Sequence, residues 1–288
     1  MSHVERLAEL RFHRPDAVAA ALASRRPGTL PSDGRRALFV AADHPGRGAL
    51  AAAGDALAMA DREDYLARCI TALSRPGVTG FLGTPDVVED LALLGALDGK
   101  VVLGSMNRSG LAGSNFEVDD RITAYDPDGI VAAGIDGGKL LLRIDLDDPR
   151  TPSVLERAGR AVSQLAAAGR SAVIEPFLSY PSPEGLVNDL SEEAVIRSVT
   201  IASALGNTSA RTWLKIPCTA DLERAVAATS LPCLLLGGEV PKDPEQTLSM
   251  WRSAMRLPNV HGLVLGRSLL FPRDGDVAAN VDRIVEVL

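Results

Sequence analysis

Short, almost unbroken apolar runs punctuate this chain, and between them apolar residues recur every three or four positions. The runs lie at 37–42, 77–83, 100–104, 139–145, 171–175, 212–216, 231–236 and 261–265, and they predict eight β-strands. The helical spacing predicts helices at 61–75, 85–97, 130–133, 152–168, 191–205, 220–228, 244–256 and 276–288. Their ends carry matching signals: Pro85 and Asp86 in a first turn, Ser191 ahead of Glu192 and Glu193, and Gly169 after a last turn. Strands with no polar face belong to a parallel sheet covered on both sides. Eight of them alternating with helices predict an α/β chain closed as a (β/α)8 TIM barrel rather than an open sheet. Residues 3–24 differ, with charged and apolar positions at helical spacing (Val4, Leu7, Leu10, then Val18, Ala21, Leu22) interrupted at Pro15. They predict a helical extension over 1–35, packed on a barrel end or a partner subunit, ahead of a barrel domain over 36–288.

One residue breaks the apolar pattern. Lys215 stands between Leu214 and Ile216 at the end of a strand, and Pro217 follows. An ionised lysine is almost never fully buried without a partner, and burial drives its pKa toward neutrality. A neutral amine in a dry pocket attacks carbonyls to form a Schiff base. The plainer alternative is a strand-end lysine that reaches water or pairs with a carboxylate.

In a barrel of this kind, reactive groups sit at the C-terminal ends of the strands. Those ends carry Asp43 and His44, Thr84, Ser105 to Arg108, Arg143 and Asp145, Glu175, Lys215, Gly237 and Gly238, and Gly266 and Arg267. Side chains alternate along a strand, so Lys139, Leu141, Arg143 and Asp145 share one face. Asp43, Glu175 and Arg143 are candidates to tune Lys215 and to move protons around it. Asp43 could instead cap the following turn, Glu175 could pair with Arg143 or Lys215, and His44 could be a structural hydrogen-bonder. Gly237, Gly238 and Gly266 expose backbone amides after the last two strands, the usual phosphate site of this fold, and Arg267 adds a guanidinium. The polar loop 105–125 offers Asn107, Arg108, Asp120 and Arg121 as specificity residues or as a solvated excursion.

Charge and composition narrow the function. A net charge of -7 argues against nucleic-acid partners, and no apolar run reaches the length of a membrane span. The N-terminus lacks the apolar core of a signal peptide, and three widely spaced cysteines (Cys69, Cys218, Cys233) fit a reducing cytoplasm. Only His44 of the four histidines lies at a strand mouth, and no Cys/His cluster suggests zinc. The expectation is chemistry without metal or other cofactor, on a small-molecule substrate.

Asp43, Leu214-Lys-Ile-Pro217, Leu236-Gly-Gly-Glu239 and Gly262-Leu-Val-Leu-Gly-Arg267 resemble the bacterial and archaeal class I aldolases. That group includes the Schiff-base fructose-bisphosphate, tagatose-bisphosphate and autoinducer-processing enzymes. The resemblance spans roughly 37–272 and implies an imine on Lys215, Asp43 beside it, and a substrate phosphate at the two glycine sites. Glu175 looks like the glutamate of the tagatose-bisphosphate branch. Many members carry a proton-transferring tyrosine on strand four, where this chain has Arg143-Ile-Asp145. The loop 105–121 resembles an actinobacterial-type subgroup, often labelled deoxyribose-phosphate aldolase and associated with inositol breakdown; the lysine context of true deoxyribose-phosphate aldolases is absent. The resemblance implies an oligomeric lyase acting on a phosphorylated carbohydrate, foremost 5-dehydro-2-deoxyphosphogluconate. Deoxyribose phosphate, fructose bisphosphate, transaldolase or acyl-transferase chemistry, and a non-catalytic sugar-phosphate-binding regulator are the alternatives.

Overall fold

The computed structural model describes residues 1–288 except 33, 108–110, 112, 113, 115, 116, 184, 220 and 242. Its strands are β1 (Ala37–Ala42), β2 (Gly80–Gly83), β3 (Val101–Ser105), β4 (Gly137–Ile144), β5 (Ser171–Ser182), β6 (Gly185–Asn188), β7 (Thr212–Ile216), β8 (Cys233–Leu236) and β9 (Val260–Leu265). Eight are parallel and neighbour one another in the order β4-β3-β2-β1-β9-β8-β7-β5, and β4 also pairs with β5. The sheet therefore closes on itself with helices between the strands, a (β/α)8 barrel. β6 is the exception, folding back antiparallel on the far end of β5.

Period-two alternation decides what each strand offers to the lumen. Along β1, Leu38, Val40 and Ala42 join the outer core beneath the helices, whereas Ala37, Phe39 and Ala41 fill the barrel with Leu103, Val173, Leu234 and Val264. One further step aims Asp43 into the barrel mouth. By the same count Leu140, Leu142 and Ile144 face outward on β4, Ala172 and Ile174 on β5, and Leu214 and Ile216 on β7. Lys139, Glu175 and Lys215 are left on the inner face. Strands of a closed barrel are tilted and staggered. Ser105, the last residue of β3, is consequently level with Lys139, only the third residue of β4.

β5 runs past Pro176, where the sequence predicts an end. It pairs with β7 only from Ala172 to Ile174, so at Pro176 that side of the strand is already an edge. Proline is tolerated on an edge because no neighbour needs its missing N–H. The freed segment continues out of the barrel and turns into β6.

The extension forms two helices, α1 (His3–His13) and α2 (Asp16–Ser24). A capping box starts α1: Ser2 Oγ accepts from the Glu5 N–H, and Glu5 accepts from the Ser2 N–H at 2.8 Å. Leu7 is buried, and Arg11 and Arg62 both pair with Asp90, on the helix Pro85–Leu93. After α2, Arg25 donates to the carbonyls of Lys100 (2.6 Å) and Gly134 (3.2 Å), just ahead of β3 and β4. The extension thus runs down the outer wall to the end of the barrel opposite its mouth. Among the described residues no helix is long and apolar enough to cross a membrane.

Candidate functional site

Four ionisable side chains meet inside the mouth, one each from β4, β5 and β7 and one just past β1. Lys139 Nζ donates to Asp43 Oδ2 at 3.0 Å and lies 2.6 Å from Glu175 Oε2, while Lys215 Nζ lies 2.8 Å from Glu175 Oε1. The result is an alternating row, Asp43–Lys139–Glu175–Lys215, whose members are 1%, 1%, 6% and 4% exposed. Unpaired charges buried this deeply would cost several kcal/mol each. Two of each sign in alternation make the row neutral and tolerable. Ser105 Oγ adds a 3.4 Å hydrogen bond to Asp43, and Arg47 Nη2 approaches its other oxygen at 3.5 Å.

The row divides the labour between its lysines. Burial alone would raise the Asp43 carboxyl, but Lys139, then Arg47, His44 and Lys215, outweigh it and hold the group well below the carboxylate range. Burial also works against ionised Glu175, and Lys139 and Lys215 overcome it, bringing the pKa to about 2. For Lys215, burial lowers the pKa and Lys139 adds to that, with Glu175 opposing; the net direction is down. Lys139 touches two carboxylates and Lys215 one. Lys215 is the amine placed to lose its proton. Lys139 Nζ donates to Asp43 and also lies against Glu175 Oε2 at 2.6 Å, an oxygen whose second lone pair keeps a free acceptor position among the described residues.

Glu175 and Lys215 open onto a cavity of about 380 Å³, whose wall also holds His44, Arg47, Arg143 and Arg267. Gly237, Gly238 and Gly266 line it as well. A Cβ on Gly237 would sit 2.2 Å from Ser268 Oγ, and one on Gly266 2.7 Å from His44 Cε1, so both positions need bare backbone. Arg267 pairs with Glu239 at 2.9 Å at the rim. Burial, followed by the charge of Arg47, pushes His44 down to about 3 and leaves the ring neutral at physiological pH.

Other candidates lie elsewhere. Arg143 reaches the cavity but pairs with Glu117 at 3.2 Å instead of entering the charged row. Asn107 faces β4, where its Nδ2 donates to the Leu141 carbonyl (2.7 Å) and its Oδ1 accepts from the Leu141 N–H (2.9 Å); its amide also donates to Asp120. That side chain extends the ladder between β3 and β4 and is no part of the cavity wall. Asp145 is buried in the turn after β4, accepting from the Asp147 N–H, beside a second cavity of about 220 Å³. Arg121 pairs with Asp119 at the surface. Arg108 lies outside the described residues.

Two site residues escape a reading by strand ends, Lys139 and Arg47. Lys139 shares the inward face with Arg143, but its early position in β4 hides it until the stagger is known. Arg47 follows Asp43 by one helical turn, the spacing of an ion pair, within the turn Pro45–Arg47.

Comparisons with known proteins fit this architecture. The profile of the Cgl0159-like family matches residues 35–285. The crystal structure of Cgl0159 from Corynebacterium glutamicum is 48% identical, with a TM-score of 0.95 over 99% of this chain and 96% of that one. A Schiff-base-forming fructose-1,6-bisphosphate aldolase is 18% identical, with a TM-score of 0.65 over 93% of this chain and 98% of that one. Fructose-bisphosphate aldolase from Slackia heliotrinireducens is 16% identical, with a TM-score of 0.59 over 94% and 88% of the respective chains. At such identities the last two share the fold with this chain. No curated protein matches.

Proposed function

The chain belongs to the Cgl0159-like family, and we propose that it is a class I aldolase that cleaves a phosphorylated sugar or sugar acid through an imine on Lys215. The observation that carries the reading is the dry row in which Lys215 has one carboxylate and Lys139 two. An isolated strand-end lysine would not need a second lysine beneath it.

In this mechanism neutral Lys215 attacks the substrate carbonyl, and the carbinolamine loses water to give a protonated imine. Glu175 Oε2, with its free acceptor position, takes the proton from the hydroxyl beta to the former carbonyl carbon. The carbon–carbon bond breaks, its electron pair enters the iminium to form an enamine, and an aldehyde departs. Protonation of the enamine and hydrolysis by one water return the ketone product and Lys215. The ammonium of Lys139 lies between Asp43 and Glu175 and lowers the pKa of both carboxylates and of Lys215. The amides at Gly237, Gly238 and Gly266, with Arg267, hold the substrate phosphate.

The substrate favoured within this class is 5-dehydro-2-deoxyphosphogluconate, cleaved to dihydroxyacetone phosphate and malonate semialdehyde. Support comes from a cavity with guanidinium groups at Arg47 and Arg143 as well as Arg267, which suits a molecule with more than one anionic group. The test is borohydride trapping with each candidate donor, followed by mass spectrometry of the peptide containing Lys215. An adduct on Lys215 and loss of cleavage in Lys215→Met are expected. Cleavage that survives Lys215→Met would sink the reading.

A further inference from the structure

Arg143 stands in a partition between two cavities. On one side it lines the 380 Å³ cavity over Lys215; on the other, Glu117 and the backbone of Leu186 line the 220 Å³ cavity. Glu117 Oε2 receives the Arg143 Nη1 hydrogen bond at 3.2 Å and the Leu186 N–H at 3.2 Å. One carboxylate oxygen therefore ties the segment after β3, the end of β4 and the start of β6 together.

The tie is chemically incomplete. A guanidinium presents a planar fork that satisfies a carboxylate or phosphate through two parallel bonds, yet Glu117 takes a single nitrogen. Among the described residues the Nε of Arg143 is buried without an acceptor, and a buried unsatisfied donor is costly. Arg47 lines the same cavity, and its nearest carboxylate, Asp43, is already held by Lys139 at 3.0 Å against 3.5 Å for Arg47. Burial of Arg143, together with the charge of Arg47, disfavours its ionised form, with Glu117 opposing. This corner of the cavity carries surplus positive charge.

We propose that Arg143 and Arg47 form a second anion-binding subsite, which Glu117 occupies as an internal carboxylate until the far anionic end of the substrate displaces it. The assignment rests on the aldolase reading for the position of the first phosphate, at Gly237, Gly238, Gly266 and Arg267. It narrows the substrate to a carbon chain with an anion at each end, the far one a phosphate or a carboxylate. A fork-shaped anion would engage two nitrogens of the guanidinium together, whereas Glu117 engages Nη1 alone. Displacing Glu117 also frees the Leu186 N–H, so occupancy of the subsite loosens the tie on the β5–β6 hairpin.

The test is calorimetric titration of the full chain with three ligands that cannot form an imine: a hexitol 6-phosphate, a hexitol 1,6-bisphosphate and 6-phosphogluconate. At least one double anion is expected to bind about tenfold tighter than the monophosphate, the gain of one charge-assisted contact. Which one gains identifies the far group as phosphate or carboxylate. Arg143→Leu should erase that advantage without weakening the monophosphate, Arg143→Lys should restore part of it, and Glu117→Gln should tighten the double anions. If Arg143→Leu does not fold, the Lys and Gln variants carry the comparison. No advantage for either double anion, no binding of any of the three, or an advantage indifferent to position 143 overturns the subsite. An adduct trapped on Lys215 without a double-anion advantage would remove the subsite and leave the aldolase reading. The advantage without any adduct would do the reverse.

Discussion

Two lysines share one glutamate, and they differ in the number of carboxylates around them. Lys139 contacts both Asp43 and Glu175, whereas Lys215, with Glu175 alone and Lys139 nearby, is biased toward the neutral amine. Replacing Lys139 by Met removes the cation that helps lower the Lys215 pKa and leaves two carboxylates facing one lysine. Both changes raise that pKa, so the free amine forms only at higher pH. The expected result is that the rate of borohydride trapping in Lys139→Met rises at a more alkaline pH than in the parent. If Glu175 takes the hydroxyl proton as proposed, kcat of Glu175→Gln should fall by about 10²- to 10⁴-fold. Full activity of Glu175→Gln across the pH range would remove Glu175 from the proton path.

At the level of strands and turns, hydrophobic patterning made much of the architecture legible. The eight apolar runs became the eight barrel strands, and the inward positions of Glu175 and Lys215 followed from a count of two. The hairpin β5–β6 did not show itself, because Pro176 reads as a terminator unless β7 is known to have left its side by Ile174. Lys139 was visible as a face and invisible as a site, since stagger is a property of the closed sheet and of no single strand. Asn107 looked like a ligand contact and serves the backbone of β4, a role that needs the neighbouring strand to be seen. The turns after β8 and β9 carry a sharper test. A Cβ at Gly237 collides with the Ser268 hydroxyl at 2.2 Å and with Leu265 at 2.7 Å, so Gly237→Ala should destabilise by about 1–3 kcal/mol through overpacking. Urea unfolding measures this, and a raised KM for the proposed phosphorylated substrate should accompany it.

Across the whole molecule, the N-terminal extension and the site occupy separate parts of the barrel. The extension is held by the Arg11–Asp90–Arg62 cluster on the outer wall and by Arg25 beneath β3 and β4, and none of its described residues lines the cavity. Asp90→Ala strips the shared partner from two arginines. Arg11 keeps Glu89 at 3.4 Å and Arg62 keeps Asp86 at 3.0 Å, so the variant should lower stability by about 0.5–1.5 kcal/mol, the net contribution of a hydrogen bond, and make cleavage within residues 1–24 faster in limited proteolysis. Trapping on Lys215 should be unchanged. A variant whose extension is cut no sooner than in the parent would show that the cluster does not hold it.

The neutral row at the barrel mouth has a consequence for descent as well as for chemistry. Each of its four members is buried against a partner of opposite sign, so losing one leaves the charges of a buried row out of balance. A lineage abandoning the chemistry has no gentle route that removes these side chains singly; Asp43 with Lys139, or Glu175 with Lys215, would have to go in concert. Relatives of this chain should therefore fall into two groups, those that keep the full quartet and those in which oppositely charged pairs have been exchanged together for apolar residues.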